Sequence, residues 1–87
     1  MNLRTIPGIG IAMEKDLNNL GIYNVGELKN KDPEKLYEDL CEFSGTKLDP
    51  CVLYTFRCAV YYSKTKNKDP QLLKWWNWKG RTLKDIS

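Results

Sequence analysis

Asp-Pro occurs three times in this chain of 87 residues, at Asp32-Pro33, Asp49-Pro50 and Asp69-Pro70. An aspartate carboxylate accepts hydrogen bonds from the free N–H groups at a helix start. Proline lacks an N–H and has its φ already set, so it fits the first helical position. Each pair therefore marks a helix beginning, and the spacing predicts helices over residues 33–43, 50–64 and 70–76. The first places Leu36, Tyr37, Leu40, Cys41 and Phe43 on one side, with Glu34, Glu38, Asp39 and Glu42 forming a solvated acidic face opposite. The second is apolar nearly all round, from Cys51 to Tyr62, and reads as the central, buried helix. No stretch shows the two-residue alternation of a strand, so the chain reads as all-α.

The N-terminal part carries a different signal. A short apolar lead-in, Leu3 to Ile6, runs into Pro7-Gly8-Ile9-Gly10, and an amphipathic run from Ile11 and Ala12 to Leu20 stops at Gly21. Pro7 ends the first helical turn, and Gly8 and Gly10 are free to take positive φ. The order predicted is helix, tight bend, helix. The second of these begins near Ile11 with several N–H groups that have no partner within it. Together with the helix dipole they favour an anion, and on a nucleic acid that anion is a backbone phosphate. The same bend also serves as a plain packing or protein-binding connection, and both readings stay open. Asn24 caps a brief turn through Val25, Glu27 and Leu28, for a total of about five helices.

A faint repeat links the two halves, since Leu3-x-x-Ile6-x-Gly8 matches Leu40-x-x-Phe43-x-Gly45. Residues 43–49 then read as a degenerate second bend that lacks the paired glycines. Its Thr46 and Lys47 supply a hydroxyl and a cation for a secondary phosphate contact, against the plainer reading of a solvated loop.

Charge is uneven along the chain. Residues 1–50 hold six Lys/Arg against nine Asp/Glu, whereas residues 51–87 hold eight against two, for a net charge of +3. The nearest cations to the first bend are Arg4 and Lys15, so binding there is expected to be weak. With three cysteines, no CxxC pair and no histidine, neither a disulfide framework nor a metal site is expected, and no cofactor is implied. No apolar run is long enough to span a membrane, and no secretory leader is visible, so a cytoplasmic location is the default expectation.

Three further features invite function. Arg57 is the only charge between Pro50 and Ser63, so it is either a structural ion pair with Glu38, Asp39 or Glu42 or a phosphate ligand. Cys51, in the first turn of its helix, is a buried-type thiol or a reactive one, with Asp49 beside it opposing reactivity. Trp75, Trp76 and Trp78 lie between Lys74 and Lys79, either capping the core or offering a stacking platform for single-stranded bases, with Trp78 expected to stay exposed. The folded domain is expected to cover residues 1–79, with a mobile basic tail over 80–87.

Residues 3–22, with Leu3, Ile6, Ile9, Ala12, Leu17, Leu20 and Ile22 at core spacings around the two glycines, resemble the helix-hairpin-helix motif of DNA-repair and replication proteins. Many DNA-binding members carry Lys or Arg after the second glycine, where this chain has Ile11. More of the chain, about residues 2–79, is similar to a small bacterial family called the pathogenicity locus, some members of which carry a mitomycin-resistance label. The string Leu72-Leu73-Lys74-Trp75-Trp76-Asn77-Trp78-Lys79 is the most specific part of that likeness. The N-terminal part also resembles the C-terminal domain of TfoX-type competence regulators. The resemblance implies a helix-hairpin-helix fold and no established activity; with the faint repeat and the helix over 70–76, the expected fold is a tandem helix-hairpin-helix (SAM-like) domain with a degenerate second hairpin and a Trp-rich C-terminal helix.

The expectation is a non-catalytic module that contacts nucleic-acid backbone weakly and without sequence readout, linked to DNA repair or DNA stress. Its contacts would come from Arg4, Pro7, Gly8, Ile9, Gly10, Ile11, Ala12 and Lys15, with Thr46, Lys47, Arg57 and Trp78 as secondary candidates. The alternative is a protein-interaction or dimerisation module with no nucleic-acid contact, the chain being a monomer or weak homodimer. An enzyme is not expected, since no nucleophile–base pair is visible.

Overall fold

The computed structural model describes residues 2–85, excluding the side chain of Asp85. Among the described residues there are three α-helices and no strand: α1 (Ile11–Asn19), α2 (Pro33–Ser44) and α3 (Pro50–Lys64). Short 3-10 turns occupy Leu3–Thr5, Val25–Leu28, Pro70–Leu73, Trp75–Trp78 and Leu83–Asp85. The all-α expectation holds, but the count of about five helices gives way to three.

The Asp-Pro pairs start what they should. Asp32 accepts from Glu34 N–H at 3.0 Å, Asp49 from Cys51 N–H at 2.9 Å and Asp69 from Gln71 N–H at 2.9 Å, each with proline at the head of the element. The third start does not propagate. Lys74 is extended, at φ −95° and ψ 114°, and splits the expected helix over 70–76 into two turns. Side-chain donors have taken the carbonyls an α-helix would use. Leu72 O accepts the Trp78 indole N–H at 2.8 Å and the Cys58 thiol at 3.6 Å, while Gln71 O accepts from Asn77 Nδ2 at 2.7 Å.

Helix α3 is central. It packs against α2 and against the turns Val25–Leu28, Pro70–Leu73 and Trp75–Trp78. One apolar cluster joins Phe56, Ala59 and Val60 of α3 to Leu36 and Leu40 of α2 and to Leu3, Ile6, Ile9, Leu17, Ile22, Val25 and Leu28 of the N-terminal part. A second, on another side of α3, joins Cys58 and Tyr61 to Leu72 and Trp78. Burial pushes the Cys58 thiol up to about 11, so it is an apolar packing group at neutral pH.

Beyond residue 79, where the sequence reading ends the folded domain, the chain returns to the body. Arg81 N–H donates to Trp78 O, and half-buried Leu83 packs against both clusters. Residues 86 and 87 of the expected tail lie outside the described residues.

Candidate functional site

The bend over residues 6–10 is built from local rules. Ile9 N–H donates to Ile6 O at 3.1 Å, with Pro7 and Gly8 between them and Gly8 at φ +89°. Proline followed by a positive-φ glycine is the signature of a type II turn. Ile6 and Ile9, 1% and 5% exposed, pin the turn's two ends into the core. Pro7 and Gly8 between them are exposed, as are Gly10, Ile11 and Ala12 beyond. Behind the bend stand Trp75 and Thr55: a Cβ built on Gly8 would lie 3.4 Å from Trp75 Cδ1 and 3.7 Å from Thr55 Cγ2. Gly8 is therefore needed twice, for its backbone conformation and for the closeness of Trp75.

Gly10 behaves otherwise than expected. Its φ is −98°, an ordinary value, and a Cβ built there would meet nothing within 4 Å. It stands at the N-cap of α1 and supplies no capping side chain. The first helical hydrogen bond runs from Glu14 N–H to Gly10 O at 2.9 Å. The N–H groups of Gly10, Ile11, Ala12 and Met13 have no acceptor among the described residues, and those of 10–12 belong to exposed residues. Of the three α-helices, α1 is the one whose start has no side-chain cap.

Cations around this opening are few. Arg4, predicted to assist, lies beside the first turn of α1 but pairs with Glu14, Nε to Oε1 at 3.5 Å. Lys15 is exposed one position further along the helix. Ile11 is 71% exposed, an apolar side chain at the mouth of the donors.

The second bend is spent on structure. Gly45, at φ +72°, ends α2; its N–H donates to Glu42 O, and Thr46 N–H donates to Cys41 O at 3.2 Å, the pattern of a Schellman stop. Leu48 N–H goes to Cys41 Sγ, and Leu48 O accepts from the Tyr37 hydroxyl. Thr46 and Lys47 are exposed, on a loop whose neighbouring N–H groups are consumed. Phe43, the counterpart of buried Ile6 in the proposed repeat, is 61% exposed.

Two secondary candidates are structural. Arg57 pairs with Glu34, Nε to Oε1 at 3.0 Å, rather than with Glu38, Asp39 or Glu42. Its Nη1 donates to Trp78 O at 2.9 Å and Arg81 O at 3.2 Å, so the guanidinium is engaged in joining α3 to α2 and to the C-terminal segment. Trp78, expected to be exposed, is 0% exposed and lies against Tyr61, ring centres 5.5 Å apart. Its carbonyl and its indole N–H are both committed, which removes it as a stacking surface. Cys51 is exposed, and the Asp49 carboxylate beside it pushes its thiol up, the reverse of activation.

The sequence reading missed the division of labour among the tryptophans. Trp75 and Trp78 stand three residues apart and share one face of a 3-10 turn, while Trp76 points away at 55% exposure. The available signal was the spacing of these indoles, which a helix over 70–76 concealed.

A family model described as "Pathogenicity locus" matches residues 1–84. Mitomycin resistance protein McrB of Streptomyces lavendulae is 30% identical over 77 residues, covering 88% of this chain and 70% of its own length. No solved structure matches significantly. The similarity to TfoX-type regulators expected from the N-terminal residues is not shown by these matches. Among the described residues no helix is long and apolar enough to cross a membrane.

Proposed function

We propose that this chain, which the match over residues 1–84 shows to belong to the pathogenicity-locus family, is a non-catalytic helix-hairpin-helix module that contacts nucleic-acid backbone without sequence readout. The observation that carries the reading is the row of exposed, unpartnered N–H groups at Gly10, Ile11 and Ala12, at the positive end of a helix that omits a cap. A phosphate oxygen supplies the missing acceptors. Pro7 and Gly8 set the turn, and Ile9 holds it in the core. Lys15 adds a cation, and Arg4 adds one partly neutralised by Glu14. A site with so few cations gives an affinity of about 1–100 µM, the range of non-specific contacts. A link to DNA stress agrees with the word "resistance" in the McrB name and rests on that name.

The exposed side chain of Ile11 favours a second reading, a protein-binding or dimerisation face at the same bend. Titration of a labelled DNA duplex at two salt concentrations separates the two. Nucleic-acid binding predicts an affinity that falls with salt and is lost in Gly10→Glu, a variant that folds because the position has room for a side chain. Absence of duplex binding, with self-association that rises with concentration and is lost in Ile11→Lys, selects the second reading.

A further inference from the structure

Trp76 is a large aromatic surface for which the fold has no use. Its neighbours at 75 and 78 do the packing, whereas Trp76 is 55% exposed and its indole N–H has no acceptor among the described residues. It is nonetheless held in place. Its ring stands edge-on to Trp75 at 5.8 Å between centres, and its turn is tied down by Asn77, whose N–H donates to Lys74 O at 3.0 Å. An exposed ring whose orientation is fixed beforehand loses little freedom on meeting a flat partner.

Its surroundings define that partner. Lys74, Lys79 and Arg81 are exposed along the same segment, and residues 70–84 contain no acidic side chain. Lys79 follows Trp76 by three residues, the repeat of a 3-10 turn, so the cation and the ring share a side of the turn. A flat ring within a cationic strip matches a polyanion that carries flat rings of its own. Trp75, which bears Trp76, also stands against Gly8, so the strip is continuous with the first bend.

We propose that Trp76, with Lys79, is a stacking site for an unpaired base, so that this chain binds single-stranded or locally unpaired nucleic acid more tightly than an intact duplex. This deepens the reading of the first bend and rests on it for the backbone contact, while the ring itself takes the base. Paired bases inside a duplex present no free face to an indole, so stacking selects unpaired strands.

The test uses the whole chain with a labelled 12-nucleotide oligothymidine and a 12-base-pair duplex, measuring fluorescence anisotropy at low and moderate salt. The wild type is expected to bind the single strand more tightly than the duplex. Trp76→Ala should weaken the single strand about 5- to 150-fold, the range for loss of one stacked base, and leave the duplex unchanged. Trp76→Tyr should keep most of the affinity, which separates stacking from damage to the turn. Equal single-strand affinity in wild type and Trp76→Ala, or a wild-type preference for duplex, overturns the proposal. Gly10→Glu tells the two sites apart. Duplex binding lost in Gly10→Glu with no effect of Trp76→Ala on either ligand removes the stacking site and leaves the bend. Binding that depends on Trp76 but not on Gly10 removes the bend and leaves the stacking site. No binding of either ligand, with self-association abolished by Trp76→Ala, overturns both and makes a second copy the partner.

Discussion

Gly8 and Gly45 each follow a Leu-x-x-hydrophobic pair, each takes a positive φ, and each comes a few residues before a helix. At Gly45 the neighbouring N–H groups turn back onto the carbonyls of α2, and the next helix begins under the carboxylate of Asp49. At Gly8 only the Ile9 N–H turns back, and the next helix begins at Gly10 with no side chain to cap it. One bend turns the N–H groups of Gly45, Thr46 and Leu48 inward, and the other leaves those of Gly10, Ile11 and Ala12 without an acceptor. A shared glycine thus says where the chain turns; the residue at the following N-cap decides whether the turn has anything left to bind with.

The comparison breaks first at the glycines. Gly8→Ala meets both a disfavoured φ and the Trp75 ring at 3.4 Å, whereas Gly45→Ala meets the φ alone, with nothing within 4 Å. Gly8→Ala is expected to cost about 2 kcal/mol or more and Gly45→Ala about 1 kcal/mol in urea unfolding. Equal costs would mean that Trp75 does not back the first bend.

A smaller effect belongs to the cap that only the second bend has. Hydrogen bonds from the Cys51 N–H, and next from its thiol, hold the Asp49 carboxyl below its ordinary value of 3.8. A carboxylate with a lowered folded value contributes stability that is complete above the unfolded value and is lost as pH falls through the folded one. Asp49→Ala is therefore expected to destabilise the protein at neutral pH and to flatten part of the loss below about pH 4. Identical acid limbs in variant and wild type would show that the cap does not hold.

The smallest change in stability converts the first bend into the second. Gly10→Asp gives α1 the cap that α2 and α3 possess, at a position with room for it. A gain of roughly a few tenths of a kcal/mol is expected, since glycine is itself a tolerable cap. Backbone binding should be lost although the fold is firmer. A variant that gains stability and still binds would disconnect binding from the open donors.

Much of this was legible in the sequence where the signal is local. The Asp-Pro pairs gave the starts of α2 and α3 because cap and proline act within one turn, and Pro7-Gly8 gave the first bend for the same reason. What escaped was set by contacts across the fold. Pro70 began a turn as expected, but the Trp78 indole and Asn77 amide captured the carbonyls that would have continued it. Arg57 found Glu34, in the first turn of α2, rather than the acids one and two turns further along. Trp78 and Trp76 exchanged expected roles once the segment wound as a 3-10 turn against α3. Gly10 looked like a second conformational glycine and is one only by composition; its φ is ordinary, and its contribution is the side chain it lacks.

On the proposed reading, the open donors of the first bend receive a phosphate. Amide chemical shifts followed residue by residue during a nucleic-acid titration test this most directly. Gly10, Ile11 and Ala12 are expected to move first and together, Gly45, Thr46 and Leu48 to stay where they are, and added salt to reverse the shifts. Shifts confined to the second bend, or none at residues 10–12 while binding proceeds, would contradict that reading.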